Sequence, residues 1–405
     1  MDPATPGTTG PGTGAGTPGR PRARLPWLHR VLLALAILLI GAEAAVRLAD
    51  WRAGRDSSFF IPDQPLEAGQ YMAHPYVGFV LRPGFESRPE SKRKVHINGL
   101  GMRGAEMAAA KPPGTYRILC LGGSTTFGTG ATADDRSYPA QLERLLNVHA
   151  ASQAGGAARH YEVGNCGVSG YSSAEDLVNL EMRLLEFDPD AILLYEGAND
   201  GRIVQARGFK PDYSHARRSV ALTEFSPTET WLLRHVRLYA WLTRGTNPQE
   251  QLGALANYIF VPGFEDMGVP SDQWLNTEGM QAFLRNLRSM IAICKARGIQ
   301  PVLSTVAMRS LQDPGPNEHM HAFLRASNEA TVKLAEEEGV PCIDVGGPLT
   351  EKVELFDDYI HFNDAGSLRH AQVVLSEAQR LGLFGLPRGE RGSGPPAAAG
   401  GRDGR

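Results

Sequence analysis

Arg117-Ile118-Leu119-Cys120-Leu121-Gly122-Gly123-Ser124-Thr125 is the stretch from which the rest of the chain is read. Its apolar run, closed by glycine, is the pattern of a buried strand, and the two glycines let the backbone turn sharply at the strand's carboxyl end. Open α/β sheets place their chemistry at that end. The Ser124 hydroxyl then has two readings: a nucleophile, or an acceptor for the first backbone N–H groups of the next helix. The serine alone does not choose between them.

Outward from this stretch, strand and helix patterns alternate. Residues 138–150 read as a helix with Pro139 in its first turn and Leu142, Leu145 and Leu146 on one face. A strand at 161–163 precedes a helix at 172–187, opened by the capping box of Ser172 and Glu175, and a strand at 191–195. After an interruption come a helix at 277–297, a strand at 300–306, a helix at 317–338, a strand at 341–345 and a last helix at 363–381. This alternation predicts a doubly wound, mainly parallel sheet. The interruption, 202–272, is rich in aromatics such as Phe209, Tyr213, Trp231 and Trp241. Within it, 226–244 has helical apolar spacing, which fits a packed surface helix or a lid over the site.

The two ends have a different composition. Residues 1–24, mostly Pro, Gly, Thr and Ala, lack the apolar side chains to offset the entropy of ordering and read as a disordered leader; 385–405 read as a disordered tail. The uncharged run 31–42 follows Arg20, Arg22, Arg24 and Arg30. Extended over 25–49, it predicts a transmembrane signal anchor, with Glu43 and Arg47 paired at i, i+4 near the far interface. Ala42-Glu43-Ala44 also fits a cleavage site, so a secreted protein freed of its signal peptide is the alternative. Basic residues on the amino side put everything beyond about residue 50 outside the cytoplasm under either reading. Residues 50–113 read as a β-containing appendage, with strands at 76–81 and 94–98.

Composition excludes other classes. Lys plus Arg at 41 against Asp plus Glu at 44 gives net −3, no field for nucleic acid. Cys120, Cys166, Cys294 and Cys342 lie too far apart for zinc or a redox dithiol and read as small buried hydrophobes. His74 and His96 read as structural, and His319 with His321 as a solvated helix start, so no metal site is expected. The glycines at 123–128 have P-loop spacing, but Thr129 stands where the lysine must be, which argues against nucleotide, and no cofactor is expected.

Four stretches fall at strand ends or in the loops after them: Gly122-Gly123-Ser124-Thr125, Asn165-Cys166-Gly167-Val168-Ser169-Gly170, Gly197-Ala198-Asn199-Asp200 and Asp358-Tyr359-Ile360-His361. Together they offer what acyl transfer needs. His361 can take the Ser124 proton, Asp358 can hold the imidazole tautomer, and the backbone N–H groups of Ser124 and Gly170 with the Asn199 amide can stabilise an oxyanion. Asp200, Glu196 and Asp357 take solvated or structural roles by default.

In this order the four stretches resemble blocks one, two, three and five of the SGNH or GDSL hydrolase superfamily, over residues 116–381. The resemblance implies a flavodoxin-like three-layer α/β/α fold with a five-stranded sheet over 114–384 and an esterase activity. By position it implies Ser124 as nucleophile, Gly170 and Asn199 as oxyanion donors, and Asp358 with His361 completing the triad. Gly123 departs from the name-giving pattern, which has Asp there. The anchor, the appendage and Asn98-Gly99-Leu100-Gly101-Met102-Arg103-Gly104 resemble a membrane-anchored bacterial subgroup. The expectation is an exported serine esterase acting on an acyl ester, acetyl for example, on a cell-envelope saccharide or lipid. An O-acyltransferase with a sugar acceptor and a non-catalytic envelope scaffold are the alternatives.

Overall fold

The computed structural model describes residues 27–53, 70–74, 76–153, 159–205, 208–216, 227–244, 277–309 and 318–388. The expected leader, residues 245–272 of the insertion and 389–405 of the expected tail lie outside them. Among the described residues β1 (Tyr71–His74) and β2 (Gly78–Leu81) form an antiparallel hairpin. The main sheet comprises β3 (Thr115–Gly122), β4 (His160–Asn165), β5 (Ala191–Tyr195), β6 (Gln300–Ser304) and β7 (Cys342–Ile343). Its order is β4-β3-β5-β6-β7, every pairing is parallel, and β3 lies between β4 and β5. The first two strands are thus exchanged in space, which is the flavodoxin-like order and makes a switch point at the end of β3.

Alternate residues of each strand serve opposite faces, which is why these runs are apolar throughout. Leu119, Leu121, Ile192, Leu194 and Leu303 pack on one side with the helix Glu278–Ala296. Ile118, Cys120, Leu193, Tyr195 and Val302 pack on the other with the helices Tyr138–Gln153 and Asp364–Leu381. Burial of the two layers removes the strands from water on both sides and supplies the main driving force for the fold.

Several expected elements are shorter or broken. The stretch expected as one helix over 172–187 is a helix Ser173–Met182 and a separate turn Leu184–Phe187, divided at Arg183, whose φ of −137° is not helical. β7 has two residues where five were expected. The expected strand at 94–98 makes only isolated bridges, Glu86 with His96 and Ile97 with Arg103. Leu386, assigned from sequence to the tail, is buried against the second core layer, where Arg159 holds the Gly385 carbonyl at 2.9 Å.

The N-terminal helix Trp27–Arg52 is 26 residues long and its apolar window is fully exposed. At 1.5 Å per residue it is about 39 Å long, enough to cross a hydrocarbon core of about 30 Å. The expected pair forms, with Arg47 Nε 2.8 Å from Glu43 Oε1. The insertion's helical stretch is two helices, Pro227–His235 and Arg237–Arg244. Glu43 accepts the N–H groups of Arg237 at 2.9 Å and Leu238 at 2.7 Å, and Arg47 donates to the His235 carbonyl at 2.7 Å. These contacts join the described insertion helices to the N-terminal helix.

Candidate active site

At the end of β3, Gly122 has φ +150°, and a Cβ there would strike the Thr126 side chain and the Tyr195 carbonyl. Only glycine makes this turn without strain. Ser124 is the first residue of the short helix Ser124–Phe127, so its backbone N–H lies at the open end where no intrahelical acceptor exists. A Cβ on Gly123 would stand 2.5 Å from Asn199 Nδ2 and 2.9 Å from the Tyr171 carbonyl, so the backbone runs close against both here.

The four stretches converge. His361 Nε2 is 2.7 Å from Ser124 Oγ, and His361 Nδ1 is 2.6 Å from Asp358 Oδ2. The other carboxylate oxygen, Asp358 Oδ1, accepts the backbone N–H groups of Ile360 at 2.9 Å and His361 at 2.8 Å. Burial alone would raise the Asp358 pKa. The His361 hydrogen bond and charge and the two backbone N–H groups outweigh it and hold the carboxyl at about 2. An ionised Asp358 fixes the proton on Nδ1 and leaves Nε2 to accept from Ser124.

Around the hydroxyl lies a cleft of about 420 Å³ lined by Ser124, Ser169, Gly170, Asn199 and others named below. Gly170 has φ +91°, a conformation that turns its backbone toward the cleft at no side-chain cost. Asn199, on the helix Ala198–Val204, donates from Nδ2 to the Tyr171 carbonyl at 2.7 Å, which orients the amide and leaves the second hydrogen of that nitrogen for a ligand. The arrangement can deprotonate a hydroxyl next to a cluster of N–H donors.

Residues that the sequence reading did not single out hold this geometry. Arg103, with a side chain only 1% exposed, donates to Asp134 Oδ1 at 2.7 Å and to the carbonyls of Phe127 at 3.0 Å, Gly128 at 2.7 Å and Lys94 at 3.1 Å. It therefore closes the carboxyl end of the Ser124 helix from the appendage. A Cβ on Gly130 would strike the Phe362 carbonyl, and Thr132 donates from N and Oγ1 to Asp364, so the loop after Ser124 lies against the His361 loop. His370 stacks on Tyr138 at 3.9 Å between ring centroids and lies 5.6 Å from Phe362; its complete burial pushes its pKa down to about 3. The glycine-rich motif holding Arg103 was a visible signal, whereas nothing local marks His370.

The acids left without a role are structural. Asp200 accepts from Ser173 Oγ at 2.5 Å, Ser173 N at 3.1 Å and the Tyr213 hydroxyl at 2.9 Å, fully buried. Glu196 and Asp176 are buried side by side. Burial first, and then the Asp176 charge, push Glu196 well up; burial, with the charges of Glu175 and Asp200 behind it, pushes Asp176 up to about 7 against the lowering effect of its hydrogen bond with Glu196. Asp357 pairs at the surface with Arg93 at 2.5 Å. Cys120, Cys166 and Cys294 are buried and Cys342 half-buried, all as free thiols. His74 accepts from Val77 N, and the side chain of His319 is not described.

A family model described as GDSL-like Lipase/Acylhydrolase matches residues 120–369, from within β3 to the last helix. Among solved structures, the chain is similar to an acetylxylan esterase from Geobacillus stearothermophilus at 16% identity and TM-score 0.38, covering 65% of this chain and 93% of that one. It is also similar to a lipolytic protein of the G-D-S-L family from Desulfitobacterium hafniense, at 11% identity and TM-score 0.36, covering 64% and 97%. A GDSL-like lipase from Bacteroides thetaiotaomicron is similar at 14% identity and TM-score 0.36, covering 66% and 89%. No curated protein sequence matches.

Proposed function

The chain belongs to the GDSL-like lipase/acylhydrolase family and is a hydrolase of ester bonds, and from that premise we propose that Ser124 is its nucleophile, activated by His361 and Asp358. The observation that carries this reading is the continuous chain from Ser124 Oγ through the His361 ring to Asp358, at 2.7 and 2.6 Å. Ser124 Oγ adds to the acyl carbonyl as its proton passes to His361 Nε2, and Asp358 stabilises the imidazolium. The N–H groups of Ser124 and Gly170 and the Asn199 amide receive the oxyanion, each such donor contributing about 3 to 4 kcal/mol. Collapse breaks the ester C–O bond, and His361 returns the proton to the departing alcohol. Water, deprotonated by His361, then splits the acyl-Ser124 ester to carboxylic acid and free serine.

The substrate we favour is a small acyl group, acetyl for example, on a cell-envelope saccharide. Its supports are a cleft of about 420 Å³ with Ser169, Gly170 and Asn199 at the nucleophile and an apolar N-terminal helix preceded by basic residues. That helix anchors the catalytic domain outside the cytoplasm, unless cleavage after Ala44 releases it. A fluorophosphonate probe should label the wild type and leave Ser124→Ala unlabelled; equal labelling of the two would reject Ser124. Incubation with an activated acetyl ester and an oligosaccharide should give free acetate faster than acetylated sugar. The opposite order would make the enzyme an acyltransferase.

A further inference from the structure

Three guanidinium groups, those of Arg93, Arg103 and Arg202, line the cleft around Ser124, and among the described residues no carboxylate shares its wall. Two of the three are matched. Arg93 pairs with Asp357 at 2.5 Å, and Arg103 spends its donors on Asp134 and three carbonyls. Arg202 differs. It is half-buried, and among the described residues it makes no ion pair and no hydrogen bond.

Its position is defined by the helix it stands on. Asn199 and Arg202 are three residues apart on the helix Ala198–Val204, so their side chains share one face, about one turn apart. The Arg202 charge also reaches Tyr359, in the loop between Asp358 and His361. Arg202 therefore faces the space between the amide donor and the histidine loop. Neither Asp200, two residues away, nor Asp358, next to Tyr359, is available to it: Asp200 is committed to Ser173 and Tyr213, and Asp358 to His361. A partly desolvated guanidinium with unmet donors is a ready receptor for a carboxylate or a similar oxyanion, which it binds in two-pronged fashion.

Resting on the ester-hydrolase reading, we infer that Arg202 recognises an anionic oxygen group carried by the substrate, so that the natural ester is negatively charged close to its scissile bond. The discriminating measurement is a ratio of kcat/KM values. On the alcohol side, p-acetoxybenzoate is compared with the neutral p-acetoxybenzamide; on the acyl side, p-nitrophenyl hemisuccinate with p-nitrophenyl valerate. The wild type should favour the charged member of one pair by about tenfold or more, and Arg202→Gln should bring that ratio to within about twofold of unity, with Arg202→Lys between them. Whichever pair responds tells which side of the ester bears the charge. An arginine that merely buttressed the Tyr359 loop would slow both members of a pair together and leave the ratio intact. No charged-ester preference in the wild type, or one kept by Arg202→Gln, overturns the inference, and the wild-type ratio decides even if the variants do not fold. Failure of the wild type to take any of the four esters or the fluorophosphonate would instead reject the hydrolase reading, and the inference with it.

Discussion

Asp358 gathers three N–H groups at once, one from the imidazole and two from the backbone, and this explains why a four-residue Asp-x-x-His segment suffices to hold the proposed base. Asparagine could keep the backbone contacts but would turn an N–H toward Nδ1 and favour the wrong tautomer. Asp358→Asn should therefore fold normally and lose on the order of a thousandfold to ten-thousandfold in kcat, as steady-state kinetics would register. Two other residue-scale features act on stability with opposite signs. His370 titrates near 3 folded against 6.5 in its unperturbed state, so between those values the unfolded chain binds more protons and stability is lost as pH falls below about 6.5. The Glu196–Asp176 pair is raised from 4.5 and 3.8, so here the folded chain binds more protons and stability declines as pH rises from about 4 through about 7. Melting curves should show His370→Phe flattening the loss of stability below about pH 6.5 and Glu196→Gln flattening the decline that begins as pH rises above about 4; an unchanged slope in either variant contradicts the corresponding assignment. Ser124, Asp358 and His361 were legible because each sits in a short stretch whose spacing is local. His370 was not, because its surroundings are three aromatic rings from three different elements.

Among the elements, the short Ser124 helix depends on a residue outside the sheet. Arg103→Ala would take one donor each from Asp134 and the carbonyls of Phe127 and Gly128, which keep His96 N, Asn165 Nδ2 and Ala131 N respectively, a loss of about 1.5 to 3 kcal/mol by chemical denaturation. Arg103→Lys should restore little, because one ammonium cannot reproduce the fork. Residues 50–113 read as an appendage from their alternating segments, and nothing in an arginine's neighbours shows that its partners will be carbonyls 24 and 25 residues further on. The same limit applies to the insertion. Its apolar spacing over 226–244 points to helix, which the described residues form as Pro227–His235 and Arg237–Arg244, but not to the break at Val236, which exposes a second helix start for Glu43 to cap. Glu43→Gln should weaken that cap by about 1 kcal/mol, and hydrogen exchange at Arg237 and Leu238 should accelerate accordingly.

Across the whole molecule, the alternation of strands and helices carried the parallel sheet, since each strand is covered on both sides and had to be apolar along its length. Strand order did not follow from alternation; it came with the resemblance to a known superfamily, and the pairing of β3 with both β4 and β5 bears it out. That order sets β3 between β4 and β5 and brings the loops after these three strands to one cleft, with His361 against Ser124. Ser124 and His361 are 237 residues apart in the chain, yet 2.7 Å apart in space. At about 5 to 20 residues per second, a ribosome takes roughly ten to fifty seconds to make the intervening polypeptide. Throughout that interval Ser124 is an ordinary alcohol. On the proposed mechanism the chain is chemically silent through that interval, and the nucleophile is armed only once His361 has arrived.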